Sequence, residues 1–167
     1  AMTATDNREK VLPIVTRYGS TAPSGHTVGL ISDPWFWSPT LYRNITMGPM
    51  YPLEVRMRLM RDTGHPKVVR YLPNDGSKPE PYDPRLVTET KPDFIAYSDF
   101  ETIYVERVSK MARVPDDFGA DVERYKAFRS ALESNYELVA QFGPSGNDMV
   151  EDMRYVLPAV YVWKRKL

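Results

Sequence analysis

The clearest pattern of hydrophobic and polar positions lies between residues 53 and 72. Hydrophobic and charged residues alternate from Leu53 to Leu59, which is the period of a strand with one buried face. Turn-forming residues follow from Asp62 to His65, and Val68–Leu72 is again mostly apolar and β-branched. The pattern therefore predicts a β-hairpin whose apolar face much of the remaining chain would cover.

Four further segments are short, apolar and rich in β-branched residues, which is typical of strands. They are Val11–Tyr18, His26–Ser32 with Gly29 as a weak point, Arg85–Thr90, and Tyr155–Trp163. Pro13 and Pro158 would place the first and last at a sheet edge or a bulge. Residues 73–92 carry five prolines and predict a long connection, which is either functional or an extended arm packed on the surface.

The second half of the chain has the hydrophobic period of helices. Ser98 and Glu101 form the sequence signature of a capping box, which predicts that a helix over Asp99–Arg113 begins there. A second helix is predicted from Asp121 to Phe142, with Gly143 in the position of a C-terminal cap glycine. The apolar positions are Phe100, Ile103, Tyr104, Val108 and Met111 in the first helix, and Val122, Tyr125, Phe128, Leu132, Tyr136 and Val139 in the second.

Strands followed by two helices and a final strand predict an α+β fold. The expected architecture is a mostly antiparallel sheet with a two-helix layer packed on one face. Residues 1–10 are polar and are expected to form a disordered tail. Residues 11–167 are then expected to fold as a single domain, since this length allows one proper core.

Composition narrows the function classes. The 22 basic residues balance the 22 acidic residues, so no overall positive field would attract nucleic acid. The chain has no cysteine, which removes disulfides, thiolate nucleophiles and zinc–thiolate sites. The two histidines, His26 and His65, lie far apart in the sequence. We therefore expect no metal and no cofactor. We also expect this cysteine-free protein to lie in the cytoplasm, or in a virion if the source is viral, because no secretion signal or membrane-length apolar run is seen.

An aromatic cluster is the first candidate site. Residues 33–52 contain five large aromatic side chains among four prolines: Trp35, Phe36, Trp37, Tyr42 and Tyr51. Prolines at this density exclude a long helix. The aromatic side chains either close one end of the core, which is the commoner outcome for large rings, or form a surface for a partner or ligand.

A basic cluster is the second candidate. Arg56 and Arg58 share one face of the predicted hairpin, and Arg70 on the return strand could join them. The basic tail Lys164, Arg165 and Lys166 could extend this surface toward nucleic acid. The alternative is an ordinary solvated face on which arginine and glutamate pair across strands, and the neutral overall charge favours that alternative.

Two weaker patterns complete the candidates. The loop Gly19–Gly25 with His26 offers serine hydroxyls and an imidazole, but nothing supplies the acid of a catalytic triad. Asp116, Asp117 and Asp121 precede or begin the second helix, where carboxylates complement the helix dipole. Their spacing does not match a calcium loop.

We therefore expect a binding or assembly protein without catalytic activity, possessing a protein partner or associating with itself, such as a structural or accessory component of a phage or another macromolecular complex. One alternative is a nucleic-acid-binding module that uses the basic hairpin. Another is a small-molecule enzyme or carrier whose pocket is lined by Trp35, Trp37, Tyr104, Tyr125 and Tyr136.

Overall fold

The computed structural model describes residues 27–32, 67–143 and 159–167. Within these ranges the chain forms five strands and two long helices. In chain order these are β1 Thr27–Leu30, β2 Lys67–Val69, β3 Phe94–Ser98, α1 Asp99–Ser109, α2 Gly119–Asn135, β4 Tyr136–Phe142 and β5 Val160–Arg165. The strands lie side by side in the order β2-β1-β3-β5-β4.

The α+β class is confirmed, but the sheet, which was predicted to be mostly antiparallel, is mixed. Strand β1 runs parallel to both β2 and β3, whereas β5 is antiparallel to both β3 and β4. Parallel neighbours require a long connection, and the 31–66 and 70–93 segments are long enough to supply it. The alternation of apolar and polar residues within a strand does not reveal whether the strand runs parallel or antiparallel to its neighbour, because the same side chains are buried in both cases.

Strand β2 occupies the position predicted for the return strand of the hairpin. Its partner in the described sheet is β1, with Val68 opposite Val28. The outgoing strand from Leu53 and the turn before residue 67 lie outside the described residues, as do Val11–Tyr18 and the first part of the predicted Tyr155–Trp163 strand. The His26–Ser32 prediction is confirmed by β1, and the last strand is confirmed from Val160 onward.

Gly29 permits a close approach in the centre of the sheet. A Cβ atom at this position would lie 2.6 Å from Cγ of Pro92 and 3.2 Å from a methyl group of Leu86. The first contact cannot be made without a shift, since real Cβ atoms do not approach a ring carbon so closely. The glycine that the sequence marks as a weak point of the strand is therefore required by tertiary packing.

Helix α1 begins with the predicted capping box. The backbone N–H of Ser98 donates to the Glu101 carboxylate at 2.6 Å, and the Ser32 hydroxyl after β1 donates to the same carboxylate. Buried Asp99 makes two hydrogen bonds with Ala159, in which its N–H donates at 2.9 Å and its carboxylate accepts at 3.0 Å. These contacts fix the start of α1 against strands β1 and β5.

The second helix is shorter than the sequence pattern predicts. It ends at Asn135, and Tyr136–Phe142 forms β4 instead of the last two turns of a helix. Tyr136 and Val139 are three residues apart, which fits the period of a helix and not the alternation of a strand, so the periodicity favoured the helix. Pairing with β5 decides for a strand, and the Lys166 N–H donates to the Asn135 carbonyl at 2.9 Å, at the residue where the helix ends.

Buried aromatic residues join the helices to the sheet. The Phe128 ring of α2 meets the Tyr97 ring of β3 edge to face, with centroids 6.3 Å apart. Arg129 donates to the Tyr97 hydroxyl at 2.7 Å. Burial raises the pKa of Tyr97 to about 12, so the hydroxyl stays protonated. The helices are joined to each other by the Tyr125 hydroxyl, which donates to Glu106.

The proline-rich segment 73–92 is anchored to the sheet. The Tyr82 N–H donates to the Ile31 carbonyl at 2.8 Å. The predicted strand Arg85–Thr90 is wrong, because Leu86–Thr90 forms a five-residue π-helical turn. The buried carboxylate of Asp83 starts this turn by accepting from the Arg85 N–H at 2.9 Å, a local bond that competes with extended structure.

Arg85 holds Asp83 in its charged form. The guanidinium donates to both carboxylate oxygens, the shortest distance being 2.8 Å, and lies 4.4 Å from the centroid of the Tyr71 ring. Burial by itself would raise the pKa of Asp83, but the hydrogen bonds from the Arg85 side chain and backbone hold that pKa below its usual value of 3.8. The ion pair therefore stabilises the folded state only while Asp83 is ionised.

We expect Arg85→Gln to lower the free energy of unfolding at pH 7, because the buried carboxylate of Asp83 loses its charged partner. Because the pKa of Asp83 is lowered in the folded state, the stabilisation by its ion pair with Arg85 is present above about pH 4 and is lost as the pH falls further. Urea titrations should therefore show a larger difference in the free energy of unfolding between variant and wild type at pH 7 than at pH 3. Lys126→Gln on the exposed side of α2 is the control; an equal effect of Arg85→Gln at both pH values would contradict a stabilising role for the ion pair.

Candidate protein-interaction surface

Helix α1 and the turn that directly follows it present two large apolar side chains to solvent. Tyr104 is 62% exposed and Met111 is 52% exposed. Tyr104 lies on α1, and Met111 lies seven residues later, two residues beyond the end of the helix at Ser109. The Met111 N–H donates to the Val108 carbonyl at 3.1 Å, three residues back, which closes a turn directly after the helix.

Phe118 adds a third side chain to this surface. Its ring packs edge-on against the Tyr104 ring with centroids 5.5 Å apart. Phe118 ends a short 3-10 turn, Asp116–Phe118, that leads into α2. The chain therefore folds back after α1 and brings the turn beside Tyr104.

Four exposed charged side chains lie close to these apolar residues in the sequence. Lys110 and Arg113 lie just after α1, and Asp116 and Asp117 lie on the 3-10 turn. Across residues 27–32, 67–143 and 159–167 none of the four forms an ion pair, unlike Arg124, which pairs with Asp121 at 2.5 Å. We call the seven residues together the α1 patch: Tyr104, Met111, Phe118, Lys110, Arg113, Asp116 and Asp117.

The buried side of α1 explains why the patch is exposed. Thr102, Val105 and Val108 recur every three residues and face the protein interior. Tyr104 and Met111 lie outside this buried stripe, although their helical spacing predicts that they belong with the apolar positions of the helix. The three-residue spacing of Thr102, Val105 and Val108 was the available signal, but these three small β-branched residues mark a buried stripe less clearly than aromatic side chains do.

Arg70 lies among the described residues, at the carboxyl ends of the parallel strands. Ligands commonly bind at that edge of an open sheet. A depression there is lined by Arg70, Tyr71, Glu80 and the residues Leu30, Ile31, Asp83 and Leu86, and encloses about 160 Å³ including open solvent. The depression has no enclosed space for even a water-sized molecule, whereas small-molecule pockets usually begin at roughly 300 Å³.

The basic tail makes contacts within the chain. Arg165 donates to the Lys91 carbonyl at 2.9 Å and to Asp93 at 3.0 Å. Lys166 donates to the Glu133 carbonyl at 3.2 Å, and Lys164 stands opposite Glu137 in the sheet. These residues fasten the end of β5. Their use in nucleic-acid binding stays a prediction, and Arg56 and Arg58 lie outside the described residues.

The predicted aromatic cluster of Trp35, Phe36, Trp37, Tyr42 and Tyr51 also lies outside the described residues, together with the Gly19–Gly25 loop. The tyrosines of the predicted small-molecule pocket have three different surroundings. Tyr125 donates to Glu106 inside the helix layer, Tyr136 donates to the Pro92 carbonyl at the start of β4, and Tyr104 is on the surface.

Strand β4 is another exposed feature within the described part of the chain. It lies at one edge of the described sheet, and its Leu138 side chain is 45% exposed. The pairing with β5 is interrupted by a register shift between Leu138 and Ala140, and Glu137 carries a charge. Bulges and charges on an edge strand disfavour the addition of another strand, so the α1 patch is the better candidate.

Comparison of the chain with protein-family models, with curated protein sequences and with solved structures finds no match in any of the three. Among the described helices, neither has the length and apolar character needed to cross a membrane. A function is therefore inferred from the residues of this chain alone.

Proposed function

We propose that the protein is a non-enzymatic protein-binding domain that acts in an assembly, and that the α1 patch is its docking surface. The observation that carries the proposal is the exposure of Tyr104 on α1 and of Met111 in the turn after it, close in the sequence to charged residues that form no ion pair among the described residues. Aromatic residues and methionine are enriched in the cores of protein interfaces, whereas charged residues populate the rims.

The local geometry suits binding at low entropic cost. The Tyr104 ring already rests against Phe118, so docking has less side-chain freedom to remove. Met111 has an unbranched side chain that adapts to the shape of a partner. Burial of either side chain against a partner would contribute roughly 1.5–3 kcal/mol if it became complete.

The surrounding charges add orientation to this apolar contact. Lys110 and Arg113 precede Asp116 and Asp117 in the sequence, and all four are exposed, so a partner would meet charges of both signs. Such complementarity selects partners and fixes register more than it adds affinity. A protein surface can supply both signs at defined positions, which supports a protein as the occupant.

The proposal can be tested by site-specific photo-crosslinking. A benzophenone amino acid replaces Tyr104 or Met111 in turn, with Lys126 and Glu123 on the exposed side of α2 as matched control positions. On irradiation in the native host cells, we expect adducts with a discrete polypeptide from positions 104 and 111 but not from the controls. Equal labelling at all four positions, or adducts with nucleic acid alone, would refute the proposal.

A further inference from the structure

The loop from Asn74 to Lys78 is an exposed turn that carries the one Asp-Gly pair in the sequence, Asp75 and Gly76. The backbone of Gly76 has a φ of 80°, in the left-handed region that glycine adopts without strain. A Cβ atom at Gly76 would meet nothing within 4 Å. The backbone nitrogen of Gly76 therefore has no side chain of its own to shield it, and the space beside the residue is open.

We propose that Asp75 is a modification site at which the folded protein forms isoaspartate, and that Ser77 restrains this reaction. The Gly76 nitrogen attacks Cγ of the protonated Asp75 side chain, so a C–N bond forms and one water leaves with the carboxyl oxygen and the amide proton. Water then opens the resulting succinimide ring at the Asp75 main-chain carbonyl, which breaks the original peptide bond. The main chain then runs through the former side-chain carboxyl. One water is released and one is consumed, so no oxidant or cofactor is needed.

Ser77 acts on both requirements of the first step. Its N–H donates to Oδ1 of Asp75 at 2.9 Å, and its hydroxyl donates to the same oxygen at 2.6 Å. These two bonds restrict the rotation of the carboxyl group that would present Cγ to the Gly76 nitrogen. The hydroxyl bond, and after it the backbone bond, also lowers the pKa of Asp75. Less of the side chain is then protonated, and only the protonated form can lose water.

The fold on either side of the turn is compatible with the product. The Tyr82 N–H donates to the Ile31 carbonyl at 2.8 Å, and Arg124 donates to the Pro81 carbonyl at 2.9 Å. Strand β2 has already ended at Val69. Isomerisation keeps the negative charge and adds one carbon to the main chain among exposed residues only. The folded protein can therefore accumulate isoaspartate without unfolding.

The turn-forming role of these residues does not remove the reaction. An aspartate that accepts from an N–H two residues further on is a common way to build a turn, and this role accounts for the presence of Asp75 and Ser77. Turn formation alone predicts that loss of the Ser77 hydroxyl changes local stability. Only the proposal predicts that the same loss accelerates a covalent change at Asp75.

The experiment compares the full-length wild type with Ser77→Ala during incubation at physiological temperature and neutral pH. Samples taken over several weeks are digested, and the isomeric peptides are separated by chromatography and identified by electron-transfer fragmentation. We expect isoaspartate at residue 75 to increase with time in the wild type. In Ser77→Ala we expect its formation to be at least about twofold faster, the factor that corresponds to one weak hydrogen bond.

Three controls are available within the chain. Asp117 is also exposed but precedes Phe118, whose side chain hinders the nitrogen, so residue 117 should stay unmodified in the same digests. Ser77→Thr keeps the hydroxyl and should react at the wild-type rate. Circular dichroism of each variant should match the wild type before and after incubation.

Each other result contradicts the inference. Absence of isoaspartate at residue 75 in both proteins would show that Asp75 is not a modification site. Equal rates in the wild type and Ser77→Ala would show that the Ser77 hydrogen bonds do not restrain the reaction. Modification of residue 117 to the same extent as residue 75 would remove the assignment to the Asp-Gly turn.

Discussion

Replacing Phe128 by alanine is expected to lower the free energy of unfolding by about 3–5 kcal/mol, the usual cost of removing a buried phenylalanine. The Phe128 side chain is completely buried and contacts Tyr97 across the junction of α2 and the sheet. Its loss would leave a cavity beside a strand that is itself buried on all five residues. Urea unfolding followed by circular dichroism measures the change.

Two other substitutions show whether this cost comes from the cavity. Phe128→Leu retains most of the apolar volume and should cost clearly less than Phe128→Ala. Ala127→Ser changes the adjacent exposed position and should change stability by less than about 0.5 kcal/mol, as surface substitutions usually do. A loss for Phe128→Ala no larger than that of Ala127→Ser would show that the Phe128 ring does not pack between α2 and β3.

Replacing Gly29 by alanine is expected to destabilise the protein by about 2–3 kcal/mol, near the upper end for overpacking in a core. The added methyl group would lie 2.6 Å from Pro92 Cγ. Pro92 cannot move away easily, because it is buried and its carbonyl accepts the hydrogen bond from the Tyr136 hydroxyl. Strand β1 is equally constrained, since it pairs with a strand on each side.

Gly119 provides the matched control for this substitution. A Cβ atom there meets nothing within 4 Å, and its backbone is already helical, with φ of −57° and ψ of −47°. Gly119→Ala should therefore stabilise the protein by about 0.4–1 kcal/mol through the unfolded state. The midpoint temperature of thermal unfolding should fall for Gly29→Ala and rise for Gly119→Ala. Destabilisation of similar size in both variants would exclude steric overlap at Gly29 as the cause.

Local signals in the sequence predicted the elements whose ends are fixed by their own residues. The capping box of Ser98 and Glu101 lies within four residues, so the start of α1 could be placed correctly. The apolar segment around β1 was also recognisable, because alternation and β-branching are properties of a strand by itself. The α+β class followed from the order of these elements along the chain.

The residues of the α1 patch could not be predicted from the sequence pattern. Tyr104 and Met111 have helical spacing with Phe100 and Val108, so the pattern alone includes them among the apolar positions of the helix. Which of several possible stripes is buried depends on how α1 packs against α2, and the contact between Glu106 and Tyr125 is part of that packing. The return of Phe118 to Tyr104 depends likewise on the turn after Pro115.

The sequence by itself determined the mixture of helices and strands, the N-terminal boundary of α1, the core position of Phe128 and the neutral charge. Tertiary structure decided the rest, because the competing local states were close in energy. Tyr136–Phe142 became a strand by pairing with β5, Leu86–Thr90 became a turn around the buried Asp83, and the sheet became mixed through long connections. The exposed α1 patch is the product of the same long-range packing, since only the packed helices determine which side chains remain in water.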